Sequence, residues 1–170
     1  MKCSLRQERG FSLIELTVVV VIIALTMAIT MPRFRASLLS DHLKASTRRV
    51  AMLITSLSKE AVRENKDYLL YFDLSENRYW TENPGLTEEG RLIAREQAVN
   101  LPEDVRLLDI MKKGDEIRTA GEISIMITKK GYLQPAIIHM GSDQGKVFTI
   151  YLKTFAGKAE ILAGYVEVEE

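Results

Sequence analysis

Glu15 is a single carboxylate at the start of a long apolar stretch, and a carboxylate in such a place needs a partner. From Leu16 to Met31 the chain contains no charged residue. A carboxylate at the centre of a membrane helix costs about 2.5 to 3.5 kcal/mol on insertion scales. Because Glu15 lies about one turn inside the apolar end, its side chain either reaches back to water or meets a nearby cation.

The residues before the apolar stretch are basic, which raises a secretory signal as an alternative. Lys2, Arg6 and Arg9 precede an apolar span over residues 11–31. As a helix this span crosses the hydrocarbon core of roughly 30 Å, and it exceeds the roughly 7 to 15 residues of a signal core. No clean A-x-A cleavage site follows it, and Cys3 lies ahead of it, unlike the acylated cysteine of a bacterial lipoprotein. We therefore predict a membrane anchor over residues 11–31.

The stretch Arg9-Gly10-Phe11-Ser12-Leu13-Ile14-Glu15-Leu16 resembles the processing motif of type IV prepilins and of the pseudopilins of type II secretion systems. The resemblance implies that a membrane protease, the prepilin peptidase, cuts after Gly10 on the cytoplasmic side. The same enzyme then N-methylates Phe11, the new N-terminal residue. Glu15 becomes the fifth residue of the mature chain.

The chemistry of this motif is consistent with assembly. Gly10 has no side chain, so a protease cleft can approach the backbone closely. The cut creates an α-amine, a group whose ordinary pKa is about 7.7 to 8.0 and which is largely protonated near neutral pH. In a bilayer, this amine on one subunit and the Glu15 carboxylate on a neighbour lower each other's desolvation cost. We predict that Glu15 sets the register of assembly.

A second helical pattern follows the anchor. Seven residues recur at spacings of three or four, the signature of one apolar stripe on a helix: Leu39, Leu43, Ser46, Val50, Leu53, Leu57 and Ala61. We predict a helix over residues 33–65 that continues the membrane segment and packs mainly against its own domain. A bend is expected at Pro32, because proline lacks a backbone donor and crowds the preceding turn.

The rest of the chain changes to the pattern of β-strands. Seven short stretches rich in β-branched and aromatic residues are separated by turn signals: residues 67–74, 78–81, 105–110, 122–128, 136–140, 146–152 and 159–168. They predict a mostly antiparallel β domain in two packed sheets. Residues 82–104 are the least regular, and we expect a long polar loop there, with one short helix and a length suited to interaction.

The order of these strands and turns resembles that of the H-type minor pseudopilins, which are grouped with FimT-like minor pilins. The resemblance implies a pilin-like α+β fold, with a long N-terminal helix before a β domain of two sheets. It divides the chain into a leader over 1–10, a transmembrane anchor over 11–31, an amphipathic helix over 32–66 and a periplasmic β domain over 67–170. The charges flanking the anchor are only weakly biased, so the single-pass inner-membrane orientation follows from the resemblance.

The residues offer little for enzyme chemistry. His42 and His139 lack metal-ligand spacing, and the chain has no common hydrolase or phosphate-binding motif. Asp143 is the one carboxylate in Gly-Ser-Asp-Gln-Gly, whereas calcium takes about six or more oxygen ligands, so we predict a β-turn there. Three bulky residues are predicted to serve in packing: Met126, Met140 and Trp80. We expect no metal, no cofactor and no enzyme activity.

The charge balance argues against a nucleic-acid-binding surface. Without the three basic residues and the one acidic residue of the leader, the chain keeps 20 basic and 22 acidic side chains, a net charge of −2. The C-terminal sequence YVEVEE repels phosphate. Cys3 is the only cysteine and lies in the predicted leader, so the mature chain forms no disulfide.

The leading hypothesis from the resemblance is a minor pseudopilin, a structural subunit near the tip of the type II secretion pseudopilus that assists filament initiation and protein export. Its partners would be the prepilin peptidase, other major and minor pseudopilins and inner-membrane lipid, with secreted proteins as a further candidate and no nucleic acid. One alternative is a minor type IV pilin in pilus assembly, adhesion or DNA uptake. The other is a membrane-anchored ligand-binding or enzymatic β domain, which would need a convergent polar site.

Overall fold

A computed structural model of the chain describes residues 13–154 and 158–167, and it describes their side chains except those of residues 28–41. The predicted leader and Phe11 lie outside the described residues. The elements follow one another as α1 (Leu13–Glu64), β1 (Tyr68–Asp73), β2 (Arg78–Glu82), α2 (Glu88–Glu96), β3 (Val99–Asn100), β4 (Val105–Lys112), β5 (Glu122–Ile127), β6 (Ala136–Ser142), β7 (Val147–Leu152) and β8 (Ala159–Ala163).

Helix α1 is the longest element, with 52 residues. Its backbone is helical through Pro32, and the predicted bend at that residue stays a prediction. The chain divides into two compact units between Leu38 and Leu39. The first unit contains the N-terminal part of α1, and the second contains the rest of α1 and all the strands.

Two four-stranded antiparallel sheets form the β domain, which confirms the predicted fold class. The first sheet has the order β3-β2-β1-β5, and the second has the order β4-β6-β7-β8. Within the second sheet, β6 is the most enclosed strand, since six of its seven residues are buried. The pairing of β4 with β6 shifts register between Leu107 and Asp109, so a bulge interrupts the ladder there.

One hydrophobic core joins the C-terminal half of α1 to the inner faces of both sheets. Helix residues such as Leu43, Val50 and Ile54 are fully buried in a cluster that also holds Phe72 from the first sheet and Ile138 from the second. Each fully buried aliphatic or aromatic side chain of this kind contributes about 1.5 to 3 kcal/mol relative to an exposed one. The predicted apolar stripe therefore packs against its own domain, as expected from its spacing.

The irregular segment 82–104 contains one short helix, as predicted, and one short strand. Thr87 caps α2 by accepting a hydrogen bond from the amide of Gly90 at 3.2 Å. Strand β3 follows and pairs with β2 at the edge of the first sheet.

The last strand, β8, ends at Ala163, so the predicted strand over 159–168 was too long. The segment after β8 leaves the sheet ladder, and its backbone bonds to the Thr149 side chain instead.

Candidate functional site

Glu15 is the one predicted processing or assembly residue whose side chain the structure describes. It lies in the first turn of α1 and is exposed. Gly10 and Phe11 lie outside the described residues, so their roles stay predictions.

The N-terminal part of α1, from Leu13 to Met27, exposes many large hydrophobic side chains. The large hydrophobic residues from Leu13 to Met27 are exposed, with Leu13 at 86% and Met27 at 65%. The hydroxyl groups of Thr17 and Thr26 donate to carbonyls one turn earlier at 2.9 Å, which satisfies them within the helix.

Within the described residues, no helix combines the length and the apolarity that crossing a membrane requires. The predicted anchor over 11–31 includes residues 11 and 12 and the side chains of 28–31, which lie outside the described set.

The C-terminal half of α1 is fixed to the β domain by a polar contact as well as by the core. Ser58 donates a hydrogen bond to the carbonyl of Gly131 at 2.8 Å. Gly131 lies in the turn after β5 and has a φ of 79°, a conformation that favours glycine. A Cβ at this position would meet Val62 at 3.0 Å and Ser58 at 3.3 Å, so the turn and the helix approach each other closely.

The two histidines are both paired with aspartates. Nδ1 of His42, on α1, lies 3.2 Å from the carboxylate of Asp104, and the His42 side chain is 57% exposed. Nδ1 of His139 lies 2.6 Å from Oδ1 of Asp109, and both residues are buried. His42 is thus a surface residue and His139 a buried one, which agrees with the prediction that each is a surface or core residue.

The buried pair belongs to a polar cluster on the outer face of the second sheet. The His139 ring stacks on Tyr165 with ring centroids 3.7 Å apart, and its Nε2 lies 3.3 Å from the carbonyl oxygen of Val166. Thr149, beside His139 on β7, donates to the carbonyl of Gly164 at 2.7 Å and accepts from the amide of Val166 at 3.0 Å. The cluster fastens the segment 164–167 across the sheet.

Sequence reasoning missed this cluster. Asp109 and His139 each interrupt a run of apolar residues in a predicted strand, and the two are register partners in the pairing of β4 with β6. Because a buried polar group needs a hydrogen-bond partner, a polar residue inside each of two apolar strands could have indicated that the two residues bond to each other. Their pairing itself depends on the sheet topology.

The outer face of the first sheet carries a second cluster. Trp80 is buried and stacks on Tyr71 with centroids 5.2 Å apart, and its indole N–H donates to Glu82 at 2.8 Å. Arg95 from α2 lies over the Trp80 ring at 5.7 Å and forms an ion pair with Glu122 of β5. Helix α2 is thus attached to this face, although none of its own residues is buried.

Two of the three predicted packing residues are buried, and one is not. Met140 is fully buried and Trp80 nearly so. Met126 is 46% exposed, so its prediction was wrong: alternation along β5 turns Met126 away from the core, while Ile125 and Ile127 point into it.

The turn at Asp143 and three surface cavities bear on ligand and metal binding. The predicted turn at Asp143 is present, with the amide of Gly145 bonded to the carbonyl of Ser142 at 2.9 Å. In the part of the chain that the structure describes, no three His, Cys, Asp or Glu residues are grouped to hold a metal ion. A cavity beside Met111 and Tyr151 has a volume of about 220 Å³. Two larger surface hollows, of about 460 Å³ beside Arg48 and Ile161 and about 590 Å³ beside Asn77 and Asp104, lie in the range of roughly 300 to 1,000 Å³ typical of small-molecule sites.

Comparison with known proteins extends the picture. Residues 5–31 match the family model described as the prokaryotic N-terminal methylation motif. The chain is 30% identical over 148 residues to type II secretion system protein H of Pseudomonas aeruginosa. The aligned region covers 87% of this chain and 84% of the relative.

Two solved structures of the minor pseudopilin EpsH from the type II secretion system of Vibrio cholerae match with a TM-score of 0.55 and 14% identity. They cover 74% and 72% of this chain and 99% and 97% of the solved chains, and they show that the fold is shared. The sequence similarity spans far more than the methylation motif and therefore includes the β domain. This chain belongs to the family of type II secretion system protein H.

Proposed function

We propose that this chain is a minor pseudopilin, a structural subunit placed near the tip of a type II secretion pseudopilus, where it assists filament initiation and protein export. The observation that carries the proposal is the similarity over 148 residues to type II secretion system protein H. A methylation motif alone is compatible with any prepilin-like protein, whereas similarity through the β domain favours the secretion subunit.

The proposed processing and placement follow the motif. Prepilin peptidase cuts between Gly10 and Phe11 and methylates Phe11, and residues 11–31 then anchor the protein in the inner membrane with the β domain in the periplasm. The exposed apolar surface from Leu13 to Met27 supports an apolar surrounding for this part of α1. Its two threonine hydroxyls are already bonded within the helix, so they would not be stranded in lipid.

The proposed partners are the other major and minor pseudopilins. In an assembled filament, the Glu15 carboxylate of one subunit pairs with the Phe11 amine of a neighbour, and each charge lowers the cost of desolvating the other. The core contacts of the C-terminal half of α1 with both sheets hold that part of the helix within the β domain.

Gene deletion tests the proposal against the alternative pilus function. Loss of the gene should abolish or strongly reduce secretion of folded exoproteins, and a plasmid copy of the wild-type gene should restore it. Twitching and DNA uptake should remain normal. Normal secretion with failed twitching or transformation would instead indicate a minor type IV pilin, and a deletion that affects none of these would reject both assembly roles.

A further inference from the structure

The segment after β8 is held on the second sheet by contacts that differ in their need for a proton. Thr149 bonds the backbone of Gly164 and Val166 through a hydroxyl, which both donates and accepts. His139 lies between two acceptors instead, the Asp109 carboxylate at 2.6 Å and the Val166 carbonyl at 3.3 Å.

A neutral imidazole donates from one nitrogen only. If Nδ1–H donates to Asp109, the lone pair of Nε2 faces the carbonyl oxygen of Val166 and repels it. Both contacts are satisfied only when the pair of Asp109 and His139 holds one further proton. This requirement holds whether the charge is written as imidazolium with carboxylate or as neutral imidazole with carboxylic acid.

We propose that His139 and Asp109 form a pH-sensitive clamp that fastens the C-terminal segment 164–167 onto the outer face of the second sheet. The clamp is closed when the pair holds the further proton. It loses the Val166 contact when that proton leaves. The fastening is therefore complete while the pair holds this proton, and it weakens as the pH rises and the proton leaves.

The groups that face His139 from the neighbouring elements support this assignment. Asp109 comes from β4 and Thr149 from β7, and Tyr165 from the segment itself stacks on the ring. Burial and the hydrogen-bonded Asp109 carboxylate raise the pKa of Tyr165, with Glu167 adding to the effect. Tyr165 therefore stays a neutral donor to Asp109 near neutral pH, and the proton that changes belongs to the pair.

Amide hydrogen exchange on the full-length protein in detergent micelles tests the clamp. The readout is the protection factor of the Val166 amide, which compares its exchange with that of an unstructured chain at the same pH. This amide donates to Thr149, so it exchanges when the segment 164–167 detaches from the sheet. In the wild type, we expect protection to fall roughly tenfold between about pH 5.5 and about pH 8.5, since a hydrogen bond involving a charged group is lost.

Four variants separate the clamp from other causes. His139→Gln should lower protection and abolish its pH dependence. Asp109→Asn should keep protection high at both pH values, because the amide can donate to Nδ1 and leave Nε2–H for Val166. Thr149→Val should lower protection at both values, because it removes the acceptor of the Val166 amide itself. His42→Gln removes the other histidine and should change nothing.

The wild-type measurement is decisive even if a variant fails to fold. Protection of Val166 that is equal at the two pH values would overturn the proposal. So would a pH dependence that survives His139→Gln or disappears in His42→Gln.

Discussion

The side chain of Asn77, in the turn between β1 and β2, accepts a hydrogen bond from the backbone amide of Leu107 at 2.9 Å and donates to the carbonyl of Val105 at 2.6 Å. Leu107 and Val105 belong to β4, so one amide side chain joins the first sheet to the second. Asn77 has a φ of 53°, a conformation that asparagine tolerates better than most residues. The turn therefore places a polar side chain where two sheets of the β domain meet.

Asn77→Gly should lower the free energy of unfolding by about 2 to 4 kcal/mol, because two buried backbone groups lose their partner. Glycine is the informative substitution, since it accepts the positive φ and leaves only the loss of the hydrogen bonds. Chemical denaturation measures the change. Asn65→Gly is the matched control at a φ of 52°, and it should cost much less; an equal loss in both variants would contradict the joining role of Asn77.

Gly131→Ala should destabilise the chain by about 1 to 3 kcal/mol through backbone strain, with a further cost from the contacts of the new Cβ with Val62 and Ser58. Thermal unfolding of the two proteins measures this change. Gly145→Ala is the control, because its φ is 74° and no heavy atom lies within 4 Å of the new Cβ. If both variants lose the same stability, the close packing of the Gly131 turn on α1 contributes nothing.

The end of α1 should give an alkaline pH dependence. Burial, together with the hydrogen bond to Glu64, raises the pKa of Tyr68 from 10.0 to about 12. Because the folded chain holds this proton more tightly, its stabilising effect is complete below pH 10 and is lost as the pH rises through about 12. Denaturation of the wild type and of Tyr68→Phe at increasing pH measures it: the difference in stability between them should shrink over this range, and a constant difference would be inconsistent.

The fold class and most strands could be predicted from the sequence, because alternation and turn residues are local signals. The helix stripe likewise identified residues such as Leu43 and Val50 that are buried. Strand order and register depend on contacts between residues distant in sequence, so the pairing of β1 with β5 could not be predicted from local patterns. The same reason hid the partnership of Asp109 with His139.

Local patterns also misjudged individual side chains. Met126 is apolar and lies in a strand, but its exposure depends on which face of β5 meets the core. The predicted final strand was too long because Tyr165 and Val166 are residue types common in strands. In the structure, the Val166 backbone contacts Thr149 and His139, and the Tyr165 ring stacks on His139. For the processing segment, the motif itself remains the source of the prediction, since Gly10 and Phe11 lie outside the described residues.

Cleavage after Gly10 should remove the only thiol of the protein, because Cys3 is the sole cysteine and lies in the predicted leader. A thiol-reactive maleimide should therefore label the precursor and leave the mature form unlabelled. Gly10→Val should accumulate labelled precursor, because the side chain obstructs approach of the protease to the backbone. Gly85→Val, in the β domain, should process normally. Mature wild-type protein that still carries the label would place the cut elsewhere.

The most direct measurement of the assembly role is carbodiimide cross-linking in intact membranes, which joins a carboxylate and an amine only when they are in contact. We expect a cross-linked peptide in which Glu15 of this chain is joined to the N-terminal amine of a different pseudopilin, or one in which the Phe11 amine is joined to a carboxylate of a different pseudopilin. Glu15→Gln should remove the first product, and Gly10→Val should remove the second. Abundant, correctly processed protein that yields neither product in secreting cells would contradict the pairing of Glu15 with the N-terminal amine of a neighbouring subunit.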